Sequence, residues 1–341
     1  MKICSRCVLP ESYPGISFDN EGVCNFCREY DKSRKVTKRH FETEDELIEN
    51  LKKYRNIGKK YDVLVPLSGG VDSTYMLIQL VKKYGLRPLC FHNDHGYEDE
   101  RATQNAKNVC RQLGVDLIIK QQDMKFMKKL WKYVYESNVP GLTSCYTCSN
   151  ILYMNAVEIA NNYGINLLIN GFSKGQAEML NDPKLGIGML KEMQKIIREK
   201  HDKEFYEEFM AKFELLPKIE VYHDKSTLEK EVNREKVLVI PFFVFNFNKT
   251  DKEKLREEIT KFCDWRPLTT SYPSRTTNCC MNWLGTYVDH KKMGFSVYDE
   301  EYAELVRSGD FTREQALEDL KYNPPEGLLE KLSDDLDYKL K

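Results

Sequence analysis

The chain has 341 residues, 41% of them hydrophobic, with 52 basic against 53 acidic side chains and a formal net charge of -1. That balance excludes a global basic field for nucleic acid, leaving only a local patch open. No apolar run reaches the roughly 18 residues of a membrane span. The opening Met1-Lys-Ile-Cys carries no apolar signal region, so a cytoplasmic chain without a membrane partner is expected.

Cys4-Ser-Arg-Cys7 is followed, sixteen residues later, by Cys24-Asn-Phe-Cys27. Two such pairs match the four-thiolate pattern of zinc, and the eleven cysteines as a whole read as metal or redox sites of a reducing compartment. Residues 1–32 hold little apolar matter, so this zinc-ribbon-like module needs its Zn2+ to fold. Residues 33–58 form a helical linker. Thr43-Glu-Asp-Glu46 is a capping box, and Leu47, Ile48, Leu51 and Tyr54 make a stripe that ends near Gly58 and is expected to pack the ribbon on the body.

Residues 59–250 alternate strand and helix, the pattern of an α/β doubly wound parallel sheet. Val63, Leu64 and Val65 are a buried strand, then Leu67-Ser68-Gly69-Gly70-Val71-Asp72-Ser73 turns into a helix. Strand, glycine turn and helix start aim unpaired N–H groups and a positive dipole at one point, which suits an anion. Ser68 and Ser73 add hydroxyls, and Asp72 can position Mg2+ or a water. The lysine and spacing of GxxxxGK[ST] are missing, so this is not that phosphate loop. Leu86 to His92 is a second strand, ending in the polar turn Asn93-Asp94-His95-Gly96; His95 receives no catalytic role. A helix spans about 98–113, Leu117 to Ile119 make a third strand, and the aromatics of 124–137, Trp131 included, belong to the core.

Pro140-Gly141-Leu-Thr-Ser-Cys145-Tyr-Thr-Cys148 then opens a long helix. Cysteines at a helix N-terminus have lowered pKa values and make good thiolate ligands or nucleophiles. The strand Asn166 to Asn170 ends in Gly171-Phe-Ser-Lys174, where Gly171 permits close approach of a nucleotide. Residues 180–235 read as charged amphipathic helices, and Val237 to Phe243 is a further buried strand. Residues 251–341 are mainly helical and carry Ser274-Arg275-Thr-Thr-Asn278-Cys279-Cys280. Arg275 suits a phosphate, a carboxylate or a helix cap equally.

Ser-Gly-Gly-Val-Asp-Ser at 68–73, between strand and helix, resembles the PP-loop of the ATP pyrophosphatases, a HUP-like fold. That resemblance implies that ATP is cut between its α and β phosphates. Leu67, Ser68, Gly69, Gly70, Asp72 and Ser73 would hold the nucleotide, Asp72 and Ser73 acting in catalysis. It also makes Asn93 and Asp94 nucleotide contacts. The order PP-loop, CxxC helix, strand ending in glycine resembles the iron–sulfur PP-loop sulfurtransferases, which thiolate tRNA bases or small molecules. Their pattern implies a [4Fe–4S] cluster on Cys145, Cys148 and a third cysteine. We expect Cys279, with Cys280 as alternative and Cys263 behind both. A second zinc site or a persulfide-carrying dithiol are the competing readings of the pair.

The ribbon, with Pro14-Gly-Ile and Phe18-Asp, and the tail from His290 to Leu317 resemble a further branch, the N-acetyl sugar amidotransferases of surface-polysaccharide synthesis. That branch implies amidine formation with ammonia from a partner glutaminase. Cys145-x-x-Cys148 is not expected there, since ammonia transfer needs no paired thiolates. The expectation is therefore an ATP-dependent sulfurtransferase acting on a small-molecule or carrier-bound substrate, with a sulfur donor as partner. A tRNA substrate is less favoured, and a non-catalytic nucleotide-binding module is the bland alternative. A homodimer is compatible with the sequence.

Overall fold

The computed structural model describes residues 2–33, 41–55, 59–137, 139, 141–172, 176, 187–245, 247, 251–273 and 275–340. Gly58, Pro140, Lys174 and Ser274 of the motifs above lie outside them. The strands are β1 (Val63–Pro66), β2 (Pro88–Asp94), β3 (Asp116–Gln121), β4 (Leu167–Asn170), β5 (Ile219–Val221) and β6 (Val237–Pro241). Helices α1 to α7 span Asn25–Ser33, Glu44–Lys52, Val71–Lys82, Glu100–Leu113, Met124–Glu136, Ser144–Tyr163 and Ile187–Glu199. Helices α8 to α14 span Lys203–Ala211, Lys225–Glu229, Lys252–Cys263, Met281–Met293, Val297–Ser308, Arg313–Asp319 and Leu328–Asp335.

The strands form one parallel sheet in the order β3-β2-β1-β4-β6-β5. Its inner strands are buried on both faces, so alternate residues feed two cores. Val63, Val65, Leu167, Ile169, Leu238 and Ile240 meet α2, α3, α4 and α10 on one side. Leu64, Leu89, Phe91, Leu168, Val237 and Val239 meet α5 to α8, α11 and α14 on the other. The order reverses between β1 and β4, and in such sheets the crevice at the carboxyl ends of those strands is where ligands bind.

Four local expectations change. β2 runs on to Asp94, so Asn93 and Asp94 close the strand instead of forming the turn, because both still pair with β3 at Lys120 and Gln121. β3 is an edge, and Ile119 is 42% exposed despite its apolar neighbours. The stretch 180–235, read as helical throughout, contributes β5, three residues too short to show a period, and Phe242–Phe245 leaves the strand as a 3-10 turn. The α2 stripe packs into the sheet's core, not onto the ribbon.

The ribbon docks instead on α12 and α13, where Tyr302, Ala303, Leu305, Phe311 and Ala316 share a cluster with its four cysteines. Ser12 Oγ donates to the Gly294 carbonyl at 2.7 Å and the Tyr13 hydroxyl to Glu300 at 2.8 Å. Arg313 Nε donates to the carbonyls of Cys4 and Cys7 at 3.1 and 3.0 Å. Among the described residues no helix is long and apolar enough to cross a membrane.

Candidate active site

The loop after β1 is fixed from several sides. Leu67 N donates to the Phe91 carbonyl, and Ser68 Oγ lies 3.0 Å from Ser73 Oγ. Gly69 has φ +74°, and a Cβ there would stand 1.9 Å from the Ala102 carbonyl oxygen, so only glycine fits. Its own carbonyl accepts from Asn105 Nδ2 at 3.2 Å and Trp265 Nε1 at 2.9 Å. Gly70 caps α3 without a side-chain partner, leaving the first N–H groups of the helix to face the cavity. Across the switch point, a Cβ on Gly171 would come within 2.8 Å of the Ser73 backbone. The glycine lines the cavity and also lets the two loops touch.

Lys252, at the start of α10, is buried and donates from Nζ to Asp72. Glu301 of α12 lies near both charges, and burial pushes its carboxyl up to about 7. Sequence reading missed Lys252, Asn105, Trp265 and Glu301. A signal was available for Lys252: Asp251 is an N-cap, and Leu255 and Ile259 form a stripe that sets α10 on the sheet after β6. That placement brings the helix start to the loop's rim.

A cavity of about 280 Å³ opens beside this loop, lined by Ser68, Gly70, Asp72, Ser73, Asn93 and Gly171 among others. Cys145, Cys148 and Cys279 line it as well. Leu67 also lines the cavity; Gly69, Asp94 and Cys280 are not among its lining residues. Asp94 caps the turn, accepting from Gly96 N at 2.9 Å. Asn93 accepts from Gln122 at 2.6 Å, while its buried Nδ2 has no protein acceptor. His95, given no role above, lines the cavity with Glu98, and its Nε2 lies 3.3 Å from that carboxylate.

Cys279 reaches the cavity because its segment is zipped onto the end of β2. Glu98 and Cys279 form an antiparallel bridge, Asp99 N donates to the Asn278 carbonyl, and Cys280 N to that of Tyr97. The Asp99 carboxylate accepts from the backbone of Thr269 and Thr270 at 2.6 and 2.8 Å. Cys145 and Cys148 enter from the first turns of α6, whose cap Thr143 accepts from Tyr146 N. Cys145 Sγ donates to Asn282 Oδ1 at 3.1 Å and lies 3.0 Å from the Tyr298 hydroxyl. Cys263 is elsewhere, buried and bonded to the Ile259 carbonyl.

The lowered pKa expected at the helix start does not appear. Burial pushes Cys145 up to about 11, against the hydrogen bond from Tyr298, and raises Cys148 and Cys279 as well. A helix dipole contributes only about 0.3–1 kcal/mol, which desolvation of a thiolate outweighs. Such thiols stay protonated until a cation replaces the proton.

The ribbon cysteines are arranged differently. All eleven cysteines are free thiols, and the four of the ribbon are fully buried, with their sulfurs within 4.8 Å of one another. Cys4 and Cys27 stand 4.0 Å apart, Cys7 and Cys24 3.8 Å. A tetrahedral zinc with bonds of about 2.3 Å spaces its sulfurs at about 3.8 Å, so the four fit one ion. Backbone N–H groups of Cys7, Cys24 and Cys27 point at these sulfurs. Among the described residues no other group of three or more such ligands is so close.

Residues 61–195 match the family model of the tRNA methyl transferase HUP domain. That span, less than half of the chain, is similar to a HUP domain. An uncharacterized protein of Methanocaldococcus jannaschii is 25% identical over 333 residues, 96% of this chain and 97% of its own length. The glutamine-hydrolyzing GMP synthase of Pyrobaculum aerophilum is 32% identical over 87 residues, which are 26% of this chain and 17% of that protein. Among solved structures, NMN synthetase from Francisella tularensis aligns at TM-score 0.39 and 14% identity, covering 92% of this chain and 98% of that one. The U34-tRNA thiolase NcsA from Methanococcus maripaludis, with its [4Fe-4S] cluster, aligns at TM-score 0.37 and 12% identity, covering 100% and 90%. Overlaps that loose leave the chemistry of the site to be read from its own residues.

Proposed function

We propose that this protein is an ATP-dependent enzyme that adenylates a carbonyl or amide oxygen of its substrate, releases pyrophosphate, and exchanges that oxygen for sulfur. The observation that carries this reading is the convergence of Cys145, Cys148 and Cys279 on the cavity of the PP-loop. The N–H groups at the start of α3 would grip the outer phosphates, with Asp72 at Mg2+ and Lys252 released to the phosphate oxygens. Attack of the substrate oxygen on the α-phosphorus forms one P–O bond as the bond to pyrophosphate breaks. The oxygen then leaves as AMP when sulfur takes its carbon. Three half-buried thiols that line one cavity, each raised by desolvation, suit a metal-cluster ligand set better than a free nucleophile. When bound, a [4Fe–4S] cluster on them would supply an iron with an open position for a sulfur ligand. The ribbon would hold Zn2+. A small cavity and a balanced charge favour a small-molecule or carrier-bound substrate in a reducing cytoplasm over tRNA.

Protein purified without oxygen should be brown, absorb near 400 nm, and lose colour and sulfide-dependent AMP formation on Cys145→Ser. Colourless protein with full activity would sink the proposal. A second reading, the sugar amidotransferase, is favoured by one observation: the two chain ends that resemble that branch pack together, ribbon on α12 and α13. It predicts ammonia-dependent turnover that survives Cys145→Ser. Under either reading Asp72→Ala abolishes pyrophosphate release.

A further inference from the structure

The two cysteine sites share one helix. α12 carries Tyr302, Ala303 and Leu305 into the ribbon's cluster, all at most 1% exposed. Arg307 on the same helix is paired with Glu304 and reaches Cys7 Sγ at 3.9 Å. Tyr298, one turn before Tyr302 and in the same cluster, stands 3.0 Å from Cys145 Sγ. The Tyr298 ring is held edge-on to Tyr272 at 6.1 Å, and Tyr272 N donates to the Cys279 carbonyl. The helix start is locked by a capping box between Ser296 and Asp299.

We infer that the ribbon is an internal brace for the cavity: its metal holds α12 in place, and α12 holds Cys145 through the Tyr298 hydroxyl. The physical reason is the ribbon's lack of a core of its own. Its four cysteines, Val8 and Leu9 share a buried cluster with Tyr302, Ala303 and Leu305 of α12, Ala316 of α13, and Tyr272. Without an ion the four sulfurs have no common centre, the ribbon loses its order, and the face of α12 that it covers is bared. Tyr298 then loses the backing that aims its hydroxyl. Cys145 has two polar partners, the Asn282 Oδ1 that accepts from it on α11 and the Tyr298 hydroxyl on α12, and the second is the one the ribbon backs. Tyr298 is thus a positioning residue, and the ribbon serves the interior of the molecule instead of presenting a docking face. The inference rests on the four-thiolate site holding an ion, and not on which element the cavity transfers.

Hydrogen exchange of the full-length protein, read by peptide mass spectrometry before and after stripping with a zinc chelator, tests it. Stripping should speed exchange at 297–308 and also at 144–150, the latter on the order of tenfold, while the strands 63–66 and 167–170 stay protected. One equivalent of Zn2+ should reverse this. In Tyr298→Phe, which keeps the ring, 297–308 should still respond to metal. There 144–150 should exchange about fivefold faster than wild type in the metal-loaded protein, the worth of one buried hydrogen bond, and should no longer respond to metal. A merely structural tyrosine would not remove that response. The inference is overturned if 144–150 ignores metal removal in the wild type, if it still responds in Tyr298→Phe, or if it is equally protected in a ribbon purified without metal. Should stripping unfold the sheet too, the metal-loaded comparison decides: faster exchange at 144–150 in Tyr298→Phe supports the brace, and equal exchange overturns it.

Discussion

A lysine at the first position of a helix opposes the dipole, and burying it adds a desolvation cost. Lys252 carries both penalties and persists because Asp72 faces it. A local rule broken beside the Ser68–Ser73 loop points to function. Replacing Lys252 by Met should leave Asp72 uncompensated, lowering stability by about 3 kcal/mol. Pyrophosphate release should fall by about 10²-fold or more, since a charge aimed at the leaving group is lost. Calorimetry and a pyrophosphate assay on the same preparation check both. Asp289 of α11 gives a cleaner pH signature. Burial, opposed by Lys292 and His290 and reinforced by Asp299, pushes it up to about 7. In the unfolded chain it ionises in the ordinary carboxylate range, so between the two values the native state holds the extra proton and stability falls as pH rises. Asp289→Asn should therefore stabilise the protein progressively from pH 5 to pH 8, by on the order of 2 kcal/mol at the upper end. A melting-temperature difference that does not grow with pH would contradict this.

At the scale of elements, the site is the meeting of two strand ends, and Gly171 sets how close they come. Gly171→Ala puts a methyl group 2.8 Å from the backbone of Ser73, where neither partner is a flexible side chain. One loop must shift, at a cost of about 1–3 kcal/mol. A displacement of that size in the reacting groups should lower turnover on the order of 10²-fold. Steady-state kinetics beside a thermal melt would separate the two effects, and a variant with normal turnover would show that the loops need not touch. The sheet was legible because its strands are bounded by local signals: β-branched runs, a glycine turn, a capped helix. Cys145 and Cys148 were legible for the same reason. β5 and the exposed face of β3 were not, because edge strands are defined by what fails to pair with them. The raised thiol pKa values were missed because the dipole is a local property of α6, whereas burial is supplied by α11 and α12, more than a hundred residues away.

Over the whole molecule, the ribbon's place was illegible, since α2 lay next in sequence and α12 and α13 lie near the other end of the chain. What joins the ends is Arg313, whose Nε donates to two carbonyls of the first ribbon turn. Those carbonyls belong to Cys4 and Cys7, so the arginine fixes the backbone that aims half of the thiolates. A guanidinium bridging two carbonyls has no neutral substitute of the same reach. Arg313→Met keeps the stem and removes the one Nε–H that the two carbonyls share, a charge-assisted three-centre bond worth about 1.5–3 kcal/mol. The expected outcome is a melting midpoint lowered by a loss of about 2–3 kcal/mol, together with faster removal of the ribbon metal by a chelator. Metal release timed by a colorimetric dye, with Arg307→Met as the comparison, gives the check. Arg307 donates to Glu304 on its own helix and touches the ribbon only at 3.9 Å, so its loss should leave release nearly unchanged. Equal release from both variants would mean that Arg313 does not hold the ribbon, leaving that to the apolar cluster and the bonds of Ser12 and Tyr13.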